Sequence, residues 1–142
     1  MAKRTYKSKS KAFRKSIPKK PKGESKIHRE KIIKEKLAPL KGKEFINTDT
    51  GNKIGVTGKG IKETAQHASK SKLSTLAAID AKHQMRIAKN KGKVPKKDSR
   101  RQKDMKIDEM YRYEGCYKGH KTKVMIGHTE YGKKVLYSIT AK

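Results

Sequence analysis

The sequence predicts an α+β fold: helices packed on one face of a small, curved antiparallel sheet, preceded by a basic flexible arm and a helix. Three observations carry this expectation. Helical periodicities dominate the chain before residue 91, and strand-like alternation broken by turn residues dominates from about residue 110. The N-terminal stretch is rich in lysine and poor in apolar groups. Helices first and strands last point to segregated layers rather than to a doubly wound sheet.

The arm comes first. Residues 1–43 hold 17 of the 40 Lys/Arg and only 3 of the 13 Asp/Glu. Up to Gly23 the chain runs through Lys3, Arg4, Arg14, Lys15, Lys19 and Lys20, with Pro18 and Pro21 among them. So few apolar groups cannot offset the entropy of an ordered chain, and 1–23 reads as a disordered arm. Such an arm neutralises phosphates with salt-sensitive affinity, or serves only as a solubilising tail. Residues 24–41 read as a basic helix and linker. Ser25 suits an N-cap, Glu30 and Lys34 stand at i,i+4, and Ile33, Leu37 and Leu40 form a stripe.

A compact domain is expected over 42–142. Glu44–Asn47 and Lys53–Val56 are short strand-like runs joined through Asp49 and Gly51, a hairpin suited to a sheet edge. Gly58 and Gly60 flank Lys59 before a helix in which Ile61, Ala65 and Ala68 share a face. The two glycines either shape a turn or let backbone N–H groups hold a phosphate. A second helix is expected from Leu73 to Asn90, with Leu76, Ile79 and Ile87 on its apolar side and His83 inside that stripe. Residues 91–104, with seven Lys/Arg between Lys91 and Lys103, read as a mobile basic loop. The last stretch reads as a three-strand meander, about Met110–Lys118, Lys121–Thr129 and Lys134–Thr140. In its final strand Val135, Tyr137 and Ile139 alternate against Leu136, Ser138 and Thr140.

Composition narrows the function. The 142 residues carry a formal charge of +27 and only 32% hydrophobic residues, one small domain with a basic extension. No apolar run approaches the ~18–20 residues of a membrane span, and no apolar h-region follows the basic N-terminus, so neither a membrane segment nor a Sec-type signal is expected. Cys116 alone makes neither an internal disulfide nor a thiolate zinc site. GxGxxG, Walker A, HExxH and EF-hand patterns do not occur, and no metal or cofactor is expected. What remains is a protein that meets a polyanion. Nucleic acid is the expected partner.

Three segments carry a resemblance. Gly42-Lys43-Glu44-Phe45-Ile46-Asn47-Thr48-Asp49-Thr50-Gly51, then Gly58-Lys59-Gly60-Ile61-Lys62-Glu63-Thr64-Ala65-Gln66-His67, and finally Val135-Leu136-Tyr137-Ser138-Ile139 resemble phage and mobile-element domains. These are the domains of large polyvalent proteins related to the barnase, EndoU, colicin and RelE ribonuclease fold. The resemblance covers residues 42–142. It implies a helical layer on a curved antiparallel sheet and, in active members, metal-independent cleavage of RNA. It would carry over His67 as a helix-borne general acid or base, Lys59 or Lys72 near the phosphate, and Tyr137 and Ser138 on the last strand.

The chemistry such a reaction needs can be stated from first principles. The neighbouring 2′-hydroxyl attacks phosphorus, a base takes its proton, an acid protonates the leaving oxygen, and a cation offsets the charge. Histidine suits both proton transfers. Among His28, His67, His83, His120 and His128, His67 falls outside its helix's apolar stripe, at the rim of the helix–sheet contact. His128 shares strand parity with Val124 and Ile126, and His120 adjoins a turn. Tyr111, Tyr113 and Tyr117 line one strand face, as base-stacking rings or as the apolar wall of a sheet. Lys59, Lys72, Lys96, Lys97, Arg100 and Arg101 join the arm's cations as nucleic-acid-binding candidates. Two function classes follow: a nucleic-acid-binding accessory protein, and a metal-independent endoribonuclease. A structural component of a virion or ribonucleoprotein, with its arm threaded into the particle, is a third.

Overall fold

The computed structural model describes residues 23–97 and 99–142. The expected arm, with Lys3, Arg4, Arg14, Lys15, Lys19 and Lys20, lies outside them apart from Gly23. Along the described chain the elements are α1 (Gly23–Leu37) with a 3-10 turn (Ala38–Leu40), β1 (Glu44–Ile46), β2 (Lys53–Gly55), α2 (Gly58–Ala68), α3 (Lys72–Ile79) and α4 (Ala81–Ile87). There follow β3 (Lys89–Val94), α5 (Arg100–Asp104), β4 (Ile107–Tyr117), β5 (His120–Thr129) and β6 (Lys134–Ala141). The strands form one sheet in the order β1–β2–β6–β5–β4–β3, antiparallel except where β2 meets β6. This is the expected α+β class.

Helix starts are written locally. Thr57, Ser71 and Ser99 each hold extended backbone and accept an N–H bond from the third residue on: Gly60, Ser74 and Gln102. Each satisfies a donor that the first helical turn leaves unpaired. The long helix expected from Leu73 to Asn90 is instead two helices. Asp80 leaves helical geometry at ψ 23° and accepts from the Gln84 side chain at 3.1 Å. The break changes the phase of everything after it. Ala77, Ala78, Ala81 and Met85 become fully buried, and His83, expected within the apolar stripe, is exposed. The expected 91–104 loop contains the end of β3 and all of α5.

Helices α1 to α4 pack on one face of the sheet around a core that includes Ile33, Leu37, Ala65, Tyr113, Val124, Ile126, Leu136 and Ile139. Since α1 supplies two fully buried side chains, it belongs to the folded body and is more than a linker. Its Arg29 reaches across to donate from Nε to the Ser69 carbonyl at 2.7 Å. The β1–β2 hairpin is pinned by buried Asn47. Its Nδ2 donates to the carbonyls of Met85 and Ala88, and its Oδ1 accepts from the amides of Asp49 and Thr50. One side chain thus forms the turn and ties it to the end of α4.

The opposite face carries a second, smaller cluster of Met105, Ile107, Met110, Val135 and Tyr137, with Val94 and Met125 against it. The chain from Val94 through α5 to Met105 folds over this part of the sheet. Strand β6 departs from simple alternation. Its pairing to β5 slips between Met125↔Ser138 and Ile126↔Leu136, leaving Tyr137 as the extra residue of a β-bulge. Leu136 and Ile139 therefore both face the main core, while Tyr137, Ser138 and Thr140 line the other side. The strict alternation expected for this strand does not hold, because the bulge resets parity at Tyr137.

Candidate functional site

The bulge also governs what reaches the exposed side of β6. Only Lys134 and Val135 pair with β2, and past them α2 takes over that edge. The Thr64 hydroxyl donates to the Tyr137 carbonyl at 3.4 Å. A Cβ on Gly60 would lie 2.3 Å from the Leu136 carbonyl oxygen, so only glycine allows this approach. With α2 seated so closely, residues one turn apart on its outer side, Glu63 and His67, stand beside the Tyr137 ring. The rings of His67 and Tyr137 are tilted by 43° with centroids 6.3 Å apart.

These groups border a groove of about 560 Å³ between α2, the Val94–Gln102 segment and the outer faces of β4 to β6. Its polar lining includes Glu63, His67, Lys97, Arg112, Lys123 and Ser138, its apolar floor Met110 and Met125. The Nε2 nitrogen of His67 lies 2.6 Å from Oε2 of Glu63. The other carboxylate oxygen accepts from Arg101 Nε at 3.2 Å. Glu63 is only 6% exposed, and a carboxylate so withdrawn needs such partners. The Tyr137 hydroxyl lies 3.4 Å from Ser99 Oγ, and burial raises its pKa above the ordinary tyrosine value, so it stays protonated at neutral pH.

The structure brings together His67, Tyr137, Ser138 and Lys97, which were 71 positions apart at the extremes. Arg101 joins them through Glu63, and Arg100 lies in the adjoining depression with Gln66 and Asp104. Lys59 and Lys96 are directed elsewhere: their ammonium groups donate to the carbonyls of Asp104 and Ile107. Lys72 opens α3 and does not line the groove. The remaining histidines lie outside it as well, and of the tyrosine row Tyr113 is fully buried with Tyr111 and Tyr117 packed on the main core. That row is the wall of the sheet.

Glu63, Ser99, Arg112 and Lys123 were not anticipated. Glu63 had a signal, since it stands four residues before His67 on a helix, the spacing at which side chains meet. The others had none, because they arrive from distant strands and from the Val94–Gln102 crossover. Among the described residues no group of three or more His, Cys, Asp or Glu is arranged to hold a metal ion, and no helix is long and apolar enough to cross a membrane.

As an assembly, the groove offers a histidine positioned by a buried carboxylate, a protonated phenol, hydroxyls, and cations from three different elements. No curated protein matches the chain, and no solved structure does. The family model for large polyvalent protein-associated domain 3 matches residues 23–135, from the start of α1 into β6, with Glu63, His67, Arg101, Arg112 and Lys123 inside the matched span. The chain therefore belongs to the large polyvalent protein-associated domain 3 family, a domain of phages and mobile elements.

Proposed function

We propose that the chain is a nucleic-acid-binding accessory protein of a phage or mobile element, preferring RNA to DNA and built on a ribonuclease-like fold, acting in the bacterial cytoplasm or inside a virion. The observation that supports it best is the groove itself, where Lys97, Arg112 and Lys123 surround the hydroxyls of Ser138 and Tyr137. Phosphate oxygens take charge-assisted bonds from the cations, and hydroxyls accept and donate to a 2′-OH, which DNA lacks. Release of counterions adds a term shared with the basic N-terminal segment, with Lys3, Arg4, Arg14, Lys15, Lys19 and Lys20. Assembly into a larger phage or ribonucleoprotein particle fits the same charge.

A specific observation favours a second reading, metal-independent cleavage of RNA. Glu63 fixes the ring of His67 while Arg101 fixes Glu63. A histidine so held can take the 2′-hydroxyl proton or return one to the leaving 5′ oxygen. The attacking oxygen bonds to phosphorus as the 5′ oxygen departs, leaving a 2′,3′-cyclic phosphate. Protonated Tyr137 and the groove cations would steady the charge on phosphorus.

One experiment separates the readings: labelled RNA and DNA of one sequence, in EDTA, at about 50 and 200 mM salt. The binding function predicts tight RNA binding that weakens by at least tenfold over this range, with the RNA intact. Cyclic-phosphate ends that disappear in His67→Ala would establish the second reading instead. Absence of binding at low salt would overturn both.

A further inference from the structure

The groove does not end at its rim. Arg112, Lys123 and Thr140 line both the groove and a smaller depression of about 150 Å³ beyond it, bordered further by Glu114, Lys121 and Lys142. All of these project from the same side of β4, β5 and β6. The pairs Glu114↔Lys123 and Lys123↔Thr140 set three strands side by side, and one step on Cys116 pairs with Lys121. A rise of ~3.4 Å per strand residue places Lys142 about 14 Å past Ser138.

This face is bare sheet. Among the described residues no helix covers it, and those lining it carry four cations against one carboxylate. Glu114 spans two of them, 3.1 Å from Arg112 and 3.9 Å from Lys121. The side chain of Lys121 is 74% exposed, and Lys123 has no carboxylate partner among the ion pairs of the described residues. Cations spaced along extended strands, next to hydroxyls, match a linear chain of phosphates. The groove that feeds the row has the volume of a small-molecule pocket, which admits a nucleotide unit and not a duplex.

Resting on the nucleic-acid reading above, we propose that the substrate class is single-stranded nucleic acid. One unit sits beside His67 and Tyr137, and the adjoining phosphates run along the outer face of β4–β6 over Arg112, Lys123, Lys121 and Lys142. The groove sets which unit is held, and the row supplies a length-dependent share of the affinity. A dinucleotide reaches the groove alone, whereas a twelve-nucleotide strand covers both.

The test uses the full chain and fluorescent oligouridylates of two and twelve nucleotides, beside a twelve-base-pair RNA duplex. Lys121→Ala/Lys142→Ala, two positions outside the groove lining, should weaken twelve-mer binding about tenfold and lower the slope of log affinity against log salt by about 1.4, the loss of two single-strand phosphate contacts. Duplex and dinucleotide binding should change less than twofold. Lys31→Ala/Lys34→Ala removes the same charge from exposed positions of α1 and should leave twelve-mer binding within twofold. Exposed Cys116, at the far end of the row, gives a readout in the unaltered protein. Its alkylation should slow with the twelve-mer and not with the dinucleotide. Equal losses in the two double variants, or equal weakening of duplex and single strand, would overturn the track while leaving nucleic-acid binding intact. A parent protein that binds none of the probes would overturn both readings.

Discussion

On the helix-covered face of the sheet, Tyr113, Val124, Ile126, Leu136 and Ile139 are fully buried. On the other face the same three strands carry Met110, Met125 and Tyr137 at one end, under the Val94–Met105 crossover, and Arg112, Lys121 and Lys123 in water at the other. An antiparallel sheet closed on one side leaves every second residue free of the core, and this chain spends that freedom on cations and hydroxyls. Stability and binding are thereby assigned to opposite sides of the same strands. Substitutions one or two positions apart in sequence should then have unrelated consequences.

The sharpest way to break that contrast is within β5. Ile126→Ala removes a fully buried side chain from the centre of the main core and should cost about 2–5 kcal/mol, read from the midpoint of urea unfolding. Lys123→Ala, on the outer face three residues earlier, should stay within about 0.5 kcal/mol of the parent while weakening RNA binding. Comparable destabilisation by both would mean that the outer face is part of the stabilising structure and not an open surface.

A second substitution tests the seam where the two faces meet. Gly60 lies in the first turn of α2, where alanine would ordinarily favour the helix by about 1 kcal/mol. Here the added methyl group meets the Leu136 carbonyl oxygen at 2.3 Å, and backbone cannot step aside as a side chain can. Gly60→Ala should therefore destabilise by about 1–3 kcal/mol, the scale of overpacking. It should also displace Glu63 and His67, which ride on the same helix. A stabilised variant would show that α2 is free to lift from β6, and that the groove wall is not held as described.

These cases also show which parts of the molecule were legible in the sequence. The meander, the hairpin and α2 were, because Val124/Ile126 and Ile61/Ala65/Ala68 repeat at the periods of strand and helix. The Asp80 break was not. Its neighbours are good helix formers, and an aspartate within them carries no local mark that the next turn will start a new helix. The bulge at Tyr137 was equally silent, since alternation in Val135–Thr140 is unblemished as written and only pairing with β5 reveals the extra residue. At the site, His67, Tyr137 and Ser138 were identified as candidates and do converge. Their setting was not foreseeable, because Arg101 comes 38 residues after Glu63 to satisfy its buried carboxylate, and that pairing exists only once the crossover has folded over the sheet. The surplus of lysine hid the rest: charge alone does not distinguish Lys97 and Lys123, on the groove, from Lys59 and Lys96, bonded to backbone carbonyls.

The smallest expected effect concerns a titration on the closed face. His128, in β5, stacks on Tyr111 with ring centroids 4.2 Å apart, and its buried Nε2 atom has no hydrogen-bond partner among the described residues. Burial holds its pKa below the ordinary 6.5, the positive charge of Lys134 on β6 adds to that, and Glu109 on β4 opposes it. The folded protein thus disfavours the protonated ring, and the unfolded chain does not. Above pH 6.5 the ring is neutral in both states and contributes no penalty. As pH falls through 6.5 the unfolded state binds a proton that the folded state resists, so stability declines until the folded-state pKa is passed. His128→Gln removes this titration and should flatten the stability profile between pH 7 and 5, measured by urea unfolding at matched ionic strength. RNA binding at pH 7.5 should be unchanged, since His128 lies outside the groove. An unaltered slope with lost binding would place this ring on the functional side of the sheet and undo the separation of the two faces.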